Sequence, residues 1–245
     1  MPHKLVRLAP KILVGVLLFL AIVQAWRRGD FKGLKVSAKG RSRKLQALLL
    51  VSFPFLVLIF FPFDAFLLHA VQSLTGHPFF AKVAEFGSFI SGNSRFWFLV
   101  IVPQFLFHFL RQKTWSKRFF AAILASAATG FFCHGLKFVF LRARPSTGLS
   151  PFVFFNWTGF SSDPRGFQSF PSGDVAIVSG AASYFFYATP NRYSRWLFFL
   201  LPLSTALARV SLNRHWVSDT LASLWLSLIV AREVWNYFRP APEKP

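Results

Sequence analysis

Long apolar blocks separated by short basic segments constrain this chain more than any other feature of its sequence. We count seven such blocks, at residues 10–26, 45–63, 96–110, 119–141, 172–188, 196–210 and 216–235. Several are near the ~20 residues that a helix needs to span the hydrocarbon of a bilayer. A strand isolated in lipid leaves its backbone groups unpaired, so we predict that all the blocks are helices.

The composition favours a membrane protein over a soluble one. Apolar residues make up 54% of the 245 residues and aromatic residues 19%, with 34 Phe. A soluble protein of this size would have difficulty in keeping so much apolar surface from water. We therefore predict an all-α, polytopic membrane protein. Residues 45–238 form its core of six transmembrane helices, and residues 1–44 supply one N-terminal hydrophobic helix and a basic loop.

The charge and the single cysteine exclude several other classes of protein. The formal net charge is +20, but the basic residues flank the apolar blocks and form no continuous surface. That pattern fits loops that face anionic lipid headgroups, so we expect membrane lipids as partners and no nucleic acid. Cys133 alone forms no internal disulfide and no cysteine-rich metal site. No protein partner is evident in the sequence.

The basic segments also predict an orientation in the membrane. Lys and Arg are concentrated in residues 27–44 and 111–118, with further basic residues near 190–195 and at the C-terminus. All four segments lie on one side if each of the last six blocks crosses once, and that side should be the cytoplasm. The loops 64–95 and 142–171 and the turn 211–215 then face outward.

The first block has two interpretations. Basic residues precede it, and Val23-Gln24-Ala25 resembles a cleavage site, so a signal peptide is conceivable. Cleavage would leave the most basic loop outside and would invert the other loops. We favour an uncleaved helix that spans the membrane or lies in its interface.

The first polar segment, Lys137-x6-Arg144-Pro145, lies at the outer end of the fourth block. A separation of seven residues is about two helical turns, which predicts both cations on one helix face. Two cations at a helix end suit a dianionic phosphate. The alternative is that both side chains extend to the phosphates of membrane lipids.

The second polar segment, Pro171-Ser172-Gly173-Asp174, opens the fifth block. Ser172 is a good N-cap residue, and Gly173 lets the backbone approach a ligand closely. Free N–H groups at a helix start bind anions, although a capped helix start with no ligand explains the same residues.

The third polar segment, Arg209-x5-His215-x3-Asp219, joins the last two blocks. The spacing predicts His215 and Asp219 one turn apart on one helix. A carboxylate beside an imidazole fixes its tautomer and prepares the other nitrogen for attack. Half of a metal site and a structural hydrogen bond are the alternatives.

In combination the three segments resemble the type-2 phosphatidic acid phosphatase superfamily, whose pattern is K-x6-R-P, then P-S-G-H, then S-R-x5-H-x3-D. The resemblance covers residues 45–235 and implies a six-helix membrane core. It implies that His215 forms a phosphohistidine and that Asp219 orients it. The implied phosphate ligands are Lys137, Arg144, Ser172, Gly173 and Arg209. Three cations can replace a metal in this role, so we expect no metal and no cofactor.

Two residues depart from the family pattern. Ala208 stands where the family has a serine, and Asp174 stands where it has the histidine that protonates the leaving oxygen. An aspartate in the first helical turn, near cations, tends to stay ionised and is a poor acid. A substrate whose leaving group has low basicity, such as a diphosphate or an anomeric sugar phosphate, would need little protonation.

The sequence thus predicts an integral membrane phosphatase that acts on a lipid phosphate at the outer face. Candidate substrates are lipid A, polyprenyl diphosphate, phosphatidylglycerol phosphate and phosphatidic acid, and the leaving group favours the first two. We expect the inner membrane of a bacterium, with the active site facing the periplasm. A lipid phosphotransferase with the same site, and a non-catalytic protein that binds or transports lipid, are the alternatives.

Overall fold

The computed structural model describes residues 51–52, 59–91 and 95–238, and this part of the chain is helical with no β-strand. The first apolar block, its two interpretations and the basic loop 27–44 lie outside the described residues. So do most of the second block and the basic residues of the C-terminus. The described residues confirm the all-α prediction.

Eight α-helices make up most of the described chain. They are α1 (Asp64–Thr75), α2 (Pro78–Ser91), α3 (Arg95–Phe109), α4 (Lys113–Phe140), α5 (Trp157–Ser162), α6 (Gly173–Ala188), α7 (Leu200–Ser211) and α8 (Val217–Phe238). Short 3-10 helices cover Phe61–Phe63, Pro145–Thr147 and Ser194–Phe199. The last of these leads directly into α7, so the block predicted at 196–210 begins as a 3-10 helix and continues as an α-helix.

The segment 64–95 contains two helices, where the sequence predicted an outward-facing loop. Within α2 the buried residues are Ala84, Gly87 and Ile90, which lie on one face, while Lys82 and Glu85 are exposed. These two charges interrupt the apolar sequence, which is why no block was recognised here. A helix that buries only one face needs no continuous apolar run.

The buried face of α2 packs along α7. Gly87 lies so close to this neighbour that a Cβ atom would stand 2.1 Å from the carbonyl oxygen of Ser204. Ile90, at the end of α2, belongs to the same core cluster as Leu201 of α7. Only glycine permits this approach of one backbone to another.

The helix α6 lies at the centre of the bundle, where it packs against both α4 and α8. A Cβ atom at Gly180 would meet the backbone of Ser126 at 2.6 Å, so α4 and α6 also approach closely. Buried apolar side chains of these helices, among them Ile123, Val178 and Tyr184, form the largest core cluster.

One helical segment in the described part of the chain is long and apolar enough to cross a membrane. It runs over Lys113–Thr147 and contains α4, and Arg95–Phe109 is a shorter apolar helix. Aromatic side chains are exposed on several faces of the bundle, including Phe131, Phe152 and Trp157. An apolar surface of this kind is typical of a protein that contacts lipid or another partner.

Candidate active site

The three polar segments come together at one end of the bundle. The first lies where α4 ends, the second where α6 begins, and the third between the end of α7 and the start of α8. The N-terminal end of α6 lies beside the other three helix ends, since Gly173 faces Lys137, Asp174 contacts Arg209 and the Ser172 N–H donates to the Asp219 carbonyl oxygen. The site is therefore built where elements distant in sequence meet.

Lys137 and Arg144 converge on one backbone oxygen. Lys137 Nζ donates a hydrogen bond to the carbonyl oxygen of Gln168 at 2.5 Å, and Arg144 Nη2 approaches the same oxygen at 3.5 Å. The prediction that both cations lie on one helix face is wrong. Leu141 adopts a left-handed conformation (φ 40°) and ends α4 before Arg144 is reached. The loop that carries Gln168 brings the two side chains together instead.

The start of α6 presents groups that lack a partner. Ser172 occupies the N-cap position as predicted, but its side chain makes no capping hydrogen bond. Its Oγ atom is buried and, like Nε of Arg144, has no hydrogen-bond partner among the described residues. A Cβ atom at Gly173 would stand 3.6 Å from Lys137 Cε, so this backbone faces the lysine. Unpaired donors beside a cation suit an anion.

Asp174 and Arg209 form an ion pair. The distance from Arg209 Nε to Asp174 Oδ2 is 3.0 Å, and Arg209 Nη2 also donates to Ser91 Oγ at 2.8 Å. The carboxylate is 42% exposed, whereas the guanidinium is 14% exposed. Asp174 thus contacts one of the predicted phosphate ligands.

His215 lies in the turn before α8, outside any helix, because α8 begins at Val217. The prediction that His215 and Asp219 share one helix is therefore wrong. The Nδ1 atom lies 2.7 Å from the carbonyl oxygen of Ser169 and 3.7 Å from Asp219 Oδ2. A carbonyl oxygen only accepts hydrogen bonds, so Nδ1 carries the proton and Nε2 keeps its lone pair.

The surroundings keep His215 neutral. The pKa of His215 is lowered from 6.5 to about 4, chiefly by burial; the charges of Lys137 and Arg144 also lower it, while Asp219 opposes them. Both cations also contact the carbonyl oxygen of Gln168, the residue before Ser169. A neutral imidazole with a free Nε2 is the nucleophilic form of histidine.

Asp219 is buried and every side of its carboxylate is occupied. Oδ2 accepts hydrogen bonds from Ser169 Oγ at 2.5 Å and from the backbone N–H of Trp216 at 2.8 Å. Oδ1 accepts one from Arg142 Nη1 at 2.6 Å. Asp219 therefore fixes Ser169, whose carbonyl oxygen contacts His215, and acts on the ring largely through that residue.

Sequence reasoning missed several residues that surround Asp219. Arg142 is fully buried and contacts both Asp219 and Asp64, and Ser169 links Asp219 to His215. Two signals were available, since Asp64 is a lone acid in the apolar run 59–68 and Arg142 is a third cation inside the first motif. Charged residues within apolar runs are expensive, so both deserved a functional hypothesis.

The arrangement can bind a phosphoryl group and attack it. Three cations and the start of α6 offer donors to its oxygens, and His215 offers a nucleophile. Within residues 51–52, 59–91 and 95–238, no group of three or more His, Cys, Asp or Glu side chains could hold a metal ion.

Comparison with known proteins gives one match. A family model described as the PAP2 superfamily matches residues 118–242, just over half of the chain, and the matched segment contains all three polar segments. No curated protein and no solved structure matches. Members of this superfamily are generally phosphatases, typically membrane-associated, that act on phosphorylated lipid-type substrates. Because the match covers more than half of its length, this chain belongs to the PAP2 superfamily.

Proposed function

We propose that the protein is an integral membrane phosphatase that hydrolyses a lipid phosphate monoester or diphosphate through a phosphohistidine on His215. The observation that carries the proposal is the state of His215. The ring is buried and neutral, its Nδ1–H is held by the Ser169 carbonyl oxygen, and two cations act on it electrostatically. A histidine that served only in packing would need neither the fixed tautomer nor the neighbouring cations.

In the proposed reaction, Nε2 of His215 attacks phosphorus, the bond from phosphorus to the leaving oxygen breaks, and a phosphohistidine forms. Water then attacks the phosphohistidine, which releases inorganic phosphate and restores the neutral ring. Lys137, Arg144 and Arg209 neutralise the phosphoryl oxygens in both steps. Such electrostatic stabilisation is usually the largest part of catalysis of phosphoryl transfer.

The ion pair between Asp174 and Arg209 bears on which leaving group the substrate carries. A carboxylate that is paired with a guanidinium is poorly suited to donate a proton to the leaving oxygen, and a positioned acid typically contributes about 10²–10⁴-fold in rate. The loss is tolerable when the leaving group has low basicity. We therefore favour a polyprenyl diphosphate or the anomeric 1-phosphate of lipid A over a simple alkyl phosphate such as phosphatidic acid.

We also propose how the protein is arranged in the membrane. We propose that six helices from residues 45–238 span the membrane and that the N-terminal block adds a seventh hydrophobic helix. The basic segment 111–118 would face the cytoplasm, and the active site would face outward, to the periplasm of a bacterium. The apolar span Lys113–Thr147 and the exposed aromatic residues of the bundle support a membrane location.

The experiment that tests the function is a phosphate-release assay with purified protein in detergent. The panel contains a polyprenyl diphosphate, lipid A and phosphatidic acid. We expect release from at least one of them, and loss of that release in His215→Ala. The matched control is His108→Ala, a histidine in the last turn of α3, at the other end of the bundle from the site. Substantial activity in His215→Ala would exclude the phosphohistidine.

Two further arms separate the alternatives. Activity should be unchanged in EDTA, and activity that disappears with the chelator and returns with a metal would contradict the metal-free mechanism. A lipid acceptor is added together with a donor carrying labelled phosphate. Label that moves to the acceptor lipid instead of to inorganic phosphate would identify a phosphotransferase.

A further inference from the structure

A second cluster of charged groups lies behind the proposed nucleophile. Arg142 is completely buried, and its guanidinium joins two buried carboxylates. Nη1 lies 2.6 Å from Asp219 Oδ1, and Nη2 lies 2.6 Å from Asp64 Oδ2. Asp64 is the first residue of α1 and lies outside the matched family segment 118–242.

The guanidinium is held from all sides. Its Nε donates to the carbonyl oxygen of Pro151 at 2.9 Å, and Nη1 also donates to Ser218 Oγ at 2.7 Å. The ring centroids of Phe61 and Phe154 lie 4.6 and 5.0 Å from Cζ of Arg142. Burial of a cation is favourable only when the groups around it are this well placed.

Asp64 is held as firmly as the arginine. Its Oδ1 accepts a hydrogen bond from the backbone N–H of Ser218 at 2.9 Å, and its Oδ2 accepts a short one from the hydroxyl of the same serine. Ser218 precedes Asp219 in the first turn of α8. Asp64 therefore fixes both Arg142 and the helix turn that carries Asp219.

From this cluster a continuous chain of contacts leads to the nucleophile. Arg142 binds one oxygen of Asp219, the other oxygen accepts from Ser169 Oγ, and the Ser169 carbonyl oxygen accepts the Nδ1–H of His215. The backbone N–H of Ser169 in turn donates to the carbonyl oxygen of Arg142 at 3.0 Å. Every member of this chain is buried.

We infer that Asp64 and Arg142 are positioning residues for His215, which hold Asp219 so that Ser169 presents its carbonyl oxygen to the ring. The inference rests on the proposed function and extends it to a residue beyond the family match. We propose no contact between the substrate and either Asp64 or Arg142.

The inference has a specific physical reason. Guanidinium groups bind a carboxylate preferentially with two parallel hydrogen bonds. While Asp64 occupies Nη2, Arg142 can take only one oxygen of Asp219. Without Asp64, the free Nη2 attracts the second oxygen, which then leaves Ser169 and the backbone of Trp216. The Ser169 carbonyl loses its anchor, and His215 loses its alignment.

The kinetic test compares Asp64→Asn with Asp163→Asn, which makes the same change of charge at an exposed position. The probe is a polyprenyl diphosphate, with released phosphate as the readout. We expect Asp64→Asn to lower kcat by about 10–100-fold, since small misplacements of a reacting group cost about that much. KM should change by less than about 3-fold, because the phosphate ligands are untouched. Equal kinetics in the two variants would overturn the inference.

A double-mutant cycle with Arg142→Gln distinguishes positioning from general support of the fold. If Asp64 acts through Arg142, Asp64→Asn should have little further effect on kcat when Arg142 is already replaced. Fully additive effects would contradict the inference. Should Asp64→Asn fail to fold, Arg142→Lys takes its place. Lysine keeps the positive charge but has a single nitrogen for the two carboxylates. We expect Arg142→Lys to lower kcat by the same factor as Asp64→Asn.

A measurement independent of activity separates this inference from the proposed function. In protein with ¹⁵N-labelled histidine, the Nδ1–H signal of His215 is assigned by its absence in His215→Ala. We expect Asp64→Asn to shift or broaden this signal and Asp163→Asn to leave it unchanged. An unaltered signal in Asp64→Asn would refute the positioning role. A shifted signal in a protein that releases phosphate from no probe would refute the proposed function alone.

Discussion

Among single residues, Asp174 differs most from its superfamily counterpart. Its carboxylate neutralises part of Arg209, a predicted phosphate ligand, so substrate binding must loosen or share that pair. A phosphate carries more negative charge than a carboxylate, and it can also contact Lys137 and Arg144, so it competes effectively. We expect Asp174 to restrain Arg209 between turnovers and to give no proton to the leaving group.

Replacements of Asp174 should therefore affect the two classes of substrate differently. Asp174→Asn should change kcat/KM little on a polyprenyl diphosphate and reduce it more on a simple alkyl phosphate. Asp174→His should raise kcat/KM most on the alkyl phosphate, because histidine can donate the proton that a basic leaving group needs. The measurement is kcat/KM of three proteins on two substrates. Equal inactivation of both reactions by Asp174→Asn would assign Asp174 another essential role.

The burial of His215 predicts how activity depends on pH. The proposed nucleophile is the neutral ring, and its pKa is lowered from 6.5 to about 4. The reactive form is therefore still present between pH 6.5 and pH 4, where an unperturbed histidine would become protonated. We expect kcat/KM on a diphosphate to persist through this range and to fall as the pH approaches 4. An acid limb centred near pH 6.5 would show that the ring is not held neutral.

Residue types and spacing sufficed to select Lys137, Arg144, Arg209 and His215 as candidates. Their geometry did not follow from spacing, because both helix-based predictions assumed a helix where the chain leaves one. Leu141 ends α4 early, and His215 precedes α8. Sequence patterns assume regular backbone, whereas a site at helix ends depends on the irregular residues between helices.

At the scale of helices, the contact between α2 and α7 depends on one glycine. A Cβ atom at Gly87 would stand 2.1 Å from the Ser204 carbonyl oxygen, and backbone cannot move aside as a flexible side chain can. The two helices would have to separate along their whole contact, and Arg209 on α7 would lose its hydrogen bond to Ser91 on α2.

We therefore expect Gly87→Ala to destabilise the protein by about 1–3 kcal/mol, the usual cost of forcing extra atoms into a packed contact. The control is Gly135→Ala in α4, where a Cβ atom meets nothing within 4 Å. Alanine favours a helix over glycine by about 0.5–1 kcal/mol, so this variant should be as stable as the wild type or more so. Thermal unfolding in detergent makes the comparison. Equal melting temperatures for the two variants would contradict the close approach.

The helix α2 also shows a limit of reading apolar blocks. Continuous runs indicated α3, α4, α6 and α8 correctly, since these helices are apolar around most of their circumference. The amphipathic α2 carries Lys82 and Glu85 on its exposed face and so resembled a loop. Periodicity of three to four residues, and not mean hydropathy, was the signal that would have found it.

At the scale of the whole molecule, the orientation predicted from basic residues is open to direct measurement. The background is Cys133→Ser, which removes the single cysteine of the chain. New cysteines replace Ser161, beside the proposed site, and Lys113, at the other end of the bundle; both residues are exposed. An impermeant thiol reagent should label Ser161→Cys in intact spheroplasts, and should label Lys113→Cys only after lysis. The reverse pattern would place the active site in the cytoplasm.

The assembly of the site from three distant segments was predictable, because their order along the chain matched that of a known superfamily. The contribution of α1 was not. Asp64 precedes Arg142 by 78 residues and Ser218 by 154, and no spacing rule relates residues so far apart. Only the folded chain shows that this isolated acid balances a buried arginine.

The shared contact of Lys137 and Arg144 with the Gln168 carbonyl oxygen has a consequence for the choice of anion. Long cationic side chains usually lose about 2 kcal/mol of rotamer freedom when they bind a ligand, and flexible ones adapt to anions of many shapes. Here one oxygen restrains both chains before any ligand arrives. Fixed donors select by geometry as well as by charge.

The carboxylate of a free fatty acid is flat and offers two oxygens. A terminal phosphoryl group is tetrahedral and offers three, which suits the two cations restrained by Gln168 together with Arg209. We expect this geometry to let the site discriminate against carboxylates and to retain terminal phosphoryl groups. The backbone of a single loop residue would thereby set the chemical selectivity of a site whose charge alone would attract them all.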